Sequence, residues 1–73
     1  MSGEHFAAVT GGFIELCALL KREDMAASGG EAKLLISQGL VRVNGEVETR
    51  KRRKLADGDV VDCGGRRVRV TAG

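Results

Sequence analysis

Proline, tryptophan and tyrosine are absent from the 73 residues, and two phenylalanines make up the whole aromatic complement. Proteins that hold single-stranded nucleic acid by stacking its bases do so on aromatic platforms. This chain has too few rings to build one. Histidine is nearly as scarce, since His5 stands alone near the amino terminus, and Cys17 and Cys63 lie far apart. A zinc site needs four clustered nitrogen or sulfur ligands, so no metal or cofactor is expected. No serine or cysteine has a plausible histidine partner, which removes nucleophile–base chemistry, and the chain reads as non-catalytic. Both thiols read as small apolar core residues in a reducing compartment, without a disulfide. Long apolar runs are missing as well. None approaches the ~20 residues of a membrane span, and the amino terminus lacks the basic-then-apolar order of a secretory signal. The expectation is a cytoplasmic protein with no membrane partner.

What is present is aliphatic and charged. A chain of this size buries about 60% of its surface, which fits one domain over 1–73. Its core, over 12–70, draws on valine, leucine and alanine, and residues 1–11 form a weakly patterned amino-terminal segment. The net charge of +2 hides a division: residues 1–40 carry three basic and five acidic side chains, residues 41–73 nine basic and five acidic. Five of those nine are consecutive, Arg50, Lys51, Arg52, Arg53 and Lys54. Adjacent cations repel one another, and a polyanion relieves that repulsion, so the run is an electrostatic footprint suited to phosphate. A solvated loop with surplus charge is the plainer alternative.

Along the chain, Phe6–Val9 suits a short edge strand or a segment packed on the core. Phe13, Leu16, Cys17 and Leu20 fall at i, i+3, i+4 and i+7 and predict an amphipathic helix. It would begin near Thr10 or Gly12, with Glu15 at its positive end and Lys21 and Arg22 at its negative end. Met25 and Ala26 cross to a second helix, opened by Ser28-Gly29-Gly30-Glu31 as a capping box. Ala32, Leu35, Ile36 and Gly39 share its apolar face, Gly39 is placed to end it, and Lys33 and Ser37 fall on a wetter side. Glycines in the first turn leave N–H groups open to an anion, or simply make a permissive turn. The period then changes to two. Val41-Arg42-Val43, the turn dipeptide Asn44-Gly45 and Glu46–Thr49 form one hairpin, and Val60–Cys63 with Arg67–Val70 form another around Gly64-Gly65. The fold class is α+β: two amino-terminal helices packed on a small, largely antiparallel sheet.

Three stretches, Ser28-Gly-Gly-Glu-Ala-Lys33, Gly39-Leu-Val-Arg-Val-Asn-Gly45 and Asp57-Gly-Asp-Val-Val61, together resemble the S4 RNA-binding domain. Glu48 to Arg52 is similar to the Glu-Thr-Arg-Lys-Arg segment of small stand-alone bacterial S4 proteins of the YbcJ type. The likeness runs from about Phe13 to Val70. It implies a helix-turn-helix-like pair laid against a sheet, the αL arrangement, whose second helix and flanking hairpin face structured RNA. Carried onto this chain, that surface includes Ser28, Lys33, Arg42 and Asn44, extended by Arg50, Lys51, Arg52, Arg53 and Lys54. Many S4 domains follow the serine with arginine, whereas Gly29 stands here and offers no side-chain contact. The implied function is a binding module for structured RNA, acting alone or within a larger assembly, with ribosomal or transfer RNA among the candidates; the chain itself is expected to be a monomer. It would read phosphate position and A-form shape more than base edges.

A protein-partner function is the competing reading, either an adaptor or a β-grasp sulfur carrier. Such carriers are similarly small and share an Asn-Gly turn and a segment like Leu55 to Val60. Their chemistry needs a carboxy-terminal Gly-Gly, whereas this chain ends Thr71-Ala72-Gly73 with Gly64-Gly65 well upstream. A two-helix start also fits them poorly.

Overall fold

Strands form where the sequence alternates, and also at Glu4–Val9, Ile14–Glu15 and Lys54–Leu55, where it barely does. The computed structural model describes residues 4–72, so Gly73, on which the carrier reading turns, lies outside the described residues. In chain order the elements are β1 (Glu4–Val9), β2 (Ile14–Glu15), α1 (Leu16–Arg22), α2 (Gly29–Ser37), β3 (Val41–Val43), β4 (Glu46–Val47), β5 (Lys54–Leu55), β6 (Val60–Cys63) and β7 (Arg66–Ala72). Five strands form one sheet in the order β1-β7-β6-β3-β4, and β2 pairs with β5 in a second, two-stranded one. All pairings are antiparallel except β1 with β7. The architecture is therefore α+β, with two helices and a mostly antiparallel mixed sheet. The helices do not open the fold, however, because β1 and β2 precede α1.

Strand β1 is longer than the Phe6–Val9 stretch suggested. Its inward positions are Ala7 and Val9, buried opposite Val70 and Ala72. Alanine gives little apolar contrast, which explains the weak pattern. One core joins Leu16, Leu19 and Leu20 of α1, Ala32 and Ile36 of α2, and Val41, Val43, Val61, Val68 and Val70 of the sheet. Both helices thus cover the same face of the sheet. Arg42, Asp62 and Arg67, which alternate with those valines, lie across from one another on the opposite face.

Helix α1 begins three residues later than the apolar spacing predicts. Ile14 and Glu15 are extended, paired with Leu55 and Lys54. The first helical amides then find partners outside the helix: Leu16 N–H donates to the Arg53 carbonyl at 2.8 Å and Cys17 N–H to that of Lys51 at 3.1 Å. Strand pairing captures the segment that spacing alone assigned to a helix, and it leaves Phe13 exposed. Glu15 sits at the N-cap with no capping bond from its side chain. The cysteines are free thiols, Cys63 buried and Cys17 half-buried, and burial pushes the Cys63 thiol up from its ordinary value.

Helix α2 follows its signals closely. Ser28 Oγ accepts from Glu31 N–H at 3.1 Å, and the Glu31 carboxylate reaches back to Ala27 N–H at 2.6 Å. At the other end Gly39 N–H donates to Ile36 O and Leu40 N–H to Leu35 O. With Gly39 at φ +76, this is a Schellman stop. The turn from β3 to β4 has Asn44 at φ 54 and Gly45 at φ +86, the paired positive angles of a type I′ hairpin. A Cβ on Gly45 would meet no atom within 4 Å, so only backbone strain opposes it. Gly45→Val should lower unfolding free energy by about 1–3 kcal/mol, and a chemical denaturation midpoint equal to wild type would contradict the turn type.

Candidate nucleic-acid interface

The basic run lies in the connection from β4 to β5, with a turn at Lys51 and Arg52. Its backbone is held from one side by α1, whose first two amides take the carbonyls of Lys51 and Arg53. Its side chains are held from within. Glu48, at the head of the run, is buried. A buried carboxylate is tolerated only when hydrogen bonds and opposite charge replace water. Here Oε2 accepts from Arg50 Nε at 3.0 Å and from the Arg50 backbone N–H at 2.9 Å. Oε1 accepts from Arg50 Nη2 at 3.0 Å and from Arg53 Nη1 at 2.9 Å. The Arg50 guanidinium and backbone N–H, with help from Arg53, hold the Glu48 carboxyl far below the usual carboxylate range. Glu48 in return raises Arg50 above its ordinary value.

The other cations have different settings. Arg52 donates through Nε to Glu15 at 3.1 Å from an exposed position. The ammonium of Lys54 sits 4.9 Å from the centroid of the Phe13 ring, within cation–π range. Lys51 makes no ion pair among the described residues. Arg50, Arg52, Arg53 and Lys54 line an open groove of about 550 Å³. Three of the five cations therefore meet two carboxylates, and the groove, with four cations on its lining, keeps a net positive charge.

The remaining sequence-predicted residues are placed separately. Ser28 caps α2 with its hydroxyl. Lys33 is exposed on α2. Arg42 is exposed on the sheet face turned away from the helices, across from Val47 and Asp62. Asn44 is bound internally: Nδ2 donates to Asp59 at 3.0 Å, and Oδ1 accepts from Val60 N–H at 2.9 Å. Sequence reasoning missed Glu48, Glu15 and Phe13. Only Glu48 left a trace, as the nearer of two acids just ahead of five cations, and burial is what distinguishes it from Glu46. No cluster of three or more metal-ligating side chains occurs among the described residues, and none of their helices is long and apolar enough to cross a membrane.

Comparison with known proteins gives a consistent result. The profile of the S4 domain family matches residues 7–71. The Escherichia coli K12 protein YbcJ, provisionally named as RNA-binding, is 49% identical over 59 residues, covering 81% of this chain and 84% of that one. A Bacillus subtilis protein provisionally named for ribosome maturation, RlbA, is 46% identical over 52 residues, 71% of this chain and 73% of that one. The solution structure of Escherichia coli YbcJ, described as having an αL motif involved in RNA binding, matches with a TM-score of 0.69 at 42% identity. That match covers 99% of this chain and 92% of the other.

The state of Glu48 has a consequence for stability. Its carboxyl ionises in the unfolded chain near 4.5 and stays ionised in the fold well below that. The folded state then binds fewer protons, so this contribution is fully present above about pH 4.5 and is lost as pH falls towards the folded value. Glu48→Gln should be less stable than wild type at pH 7 by about 1–3 kcal/mol, the range for hydrogen bonds to charged groups. Denaturant melts from pH 7 to pH 2.5 should show that gap closing below pH 4.5, and a constant gap would contradict the assignment.

Proposed function

The chain belongs to the S4 domain family, and from that membership we propose that it is a non-catalytic RNA-binding module whose principal contact is the groove lined by Arg50, Arg52, Arg53 and Lys54. The observation that carries this reading is that groove. It sets guanidiniums and an ammonium side by side in an open concavity on a chain whose family and relatives are associated with RNA. Guanidinium forks suit phosphate oxygens. The scarcity of rings, one of them under Lys54, favours reading of backbone position and A-form shape over stacked bases. The pair α1 and α2 with the β3–β4 hairpin serves as the αL element, and Lys33 extends the surface from α2. Ribosomal RNA is the favoured class of target, in line with the provisional naming of the Bacillus subtilis relative. The module acts as a monomer.

Salt dependence tests the groove directly. Five phosphate contacts, one from each of the four groove cations and one from Lys51 beside them, correspond to a slope of log affinity against log salt of roughly −3.5 to −4.5. Alanine at Arg50 or Arg53 would strand the Glu48 carboxylate, so the cleaner variant is Lys51→Ala with Arg52→Ala. On a structured RNA hairpin its slope should be shallower by about 1.4–1.8, and an unchanged slope would overturn the loop as the main contact. The helix contribution is tested by Lys33→Glu against Lys21→Glu, an identical charge change at the far end of α1. Lys33→Glu should lose more affinity at fixed salt with melting temperature nearly unchanged. Equal losses would mean that net charge alone is read and would remove α2 from the surface.

A further inference from the structure

A negative charge inside an RNA-binding loop should weaken it, because carboxylate and phosphate repel. The geometry around Glu48 points the other way. We propose that Glu48 is a positioning residue for RNA binding, holding Arg50 and Arg53 at a fixed spacing so that their outer N–H groups meet phosphates together. The proposal rests on the RNA-binding reading and specifies how the groove would achieve it.

Four hydrogen bonds converge on this one carboxylate, three from Arg50 and one from Arg53. The side chain of Glu48 is 9% exposed and that of Arg50 is 73% exposed, so the anchor is buried while the fork it holds faces solvent. A guanidinium carries five N–H donors. Arg50 spends its Nε and one Nη2 hydrogen on Glu48, and Arg53 spends one from Nη1, which leaves further N–H donors on both, on a largely exposed Arg50 and on an Arg53 side chain that is 29% exposed. The base of the arrangement is fixed as well, by the Arg50 backbone N–H on Glu48 and by the Arg53 carbonyl on Leu16 N–H. Ordering a long side chain on binding costs roughly 2- to 12-fold in affinity per side chain. Here two are ordered in advance. The carboxylate's own repulsion is offset at hydrogen-bond distance by two cations, so the cluster as a whole remains positive.

Charge and positioning predict opposite signs for the same substitution, and that makes the test sharp. A structured RNA hairpin is titrated with wild type, Glu48→Gln, Glu46→Gln and Arg50→Lys, each checked for folding by circular dichroism at the titration temperature. Glu46 is exposed on β4 and makes no ion pair among the described residues. Its substitution removes one negative charge and nothing else. Positioning predicts that Glu48→Gln binds about tenfold more weakly and with a shallower salt slope, while Glu46→Gln, which removes a negative charge from the αL hairpin, binds tighter. Arg50→Lys keeps the charge but cannot form the fork, so it should lose affinity on a similar scale, and adding Glu48→Gln to it should cost little more. This arm stands even if Glu48→Gln alone does not fold. Glu48→Gln binding as tightly as wild type or tighter, or Arg50→Lys binding like wild type, would overturn the proposal and leave RNA binding intact. A wild-type protein that binds no structured RNA would overturn the functional reading itself.

Discussion

Taking a carboxylate out of water costs several kcal/mol unless charge and hydrogen bonds replace the solvent. Glu48 meets that condition with donors drawn entirely from the basic run that follows it. The rest of the loop's shape follows from this. Once Arg50 and Arg53 converge on one point, the chain between them must turn at Lys51 and Arg52. The carbonyls of Lys51 and Arg53 then face the start of α1 and accept its first two amides. The loop therefore completes the helix as well as carrying the charge. Disturbing its side chains would also disturb the entry to α1, whose three leucines fill the centre of the core.

This coupling bears on how a small S4 domain could present cations in a defined array. Flexible lysines give attraction without register, whereas a fork held at its base gives both. The groove combines the two kinds. Arg50 and Arg53 are anchored on a buried acid, Arg52 leans on the half-buried Glu15, Lys54 rests over Phe13, and Lys51 is left to sample solvent. A rigid pair suits the regular phosphate spacing of an A-form helix, and looser cations around it can follow an irregular one.

Much of the fold was legible in the residues because its signals were local. The capping box at Ser28 and Glu31, the stop at Gly39 and the turn at Asn44-Gly45 each need only a few neighbouring residues, and each appears as read. The elements that differ depend on distant partners. Phe13 has helical spacing to Leu16 and Cys17, but β5 draws Ile14 and Glu15 into a strand from forty residues away. Strand β1 is stabilised by β7, which no short window contains. The same limit applies to the site. The five cations were plain in the sequence, but their division into anchored and unanchored members depends on the burial of Glu48 and the approach of Glu15, both of them tertiary facts. Asn44 was read as a contact residue from the resemblance, and the structure shows its amide bridging to Asp59 and Val60.

The parallel pairing of β1 with β7 sets a timetable for a chain made from its amino terminus. The Ala7 carbonyl accepts from the Thr71 hydroxyl at 3.4 Å, sixty-four residues further on. At translation rates of 5–20 residues per second, β1 waits roughly 3–13 s for its partner to be synthesised. The helices and the β3–β4 hairpin involve short loops and can close well before then. The edge strand, with Ala7 and Val9 still uncovered, is thus made well before its partner and is among the last segments secured. Until β7 arrives it is an open template for any other extended chain, which makes it the segment that a nascent-chain chaperone would have most reason to cover.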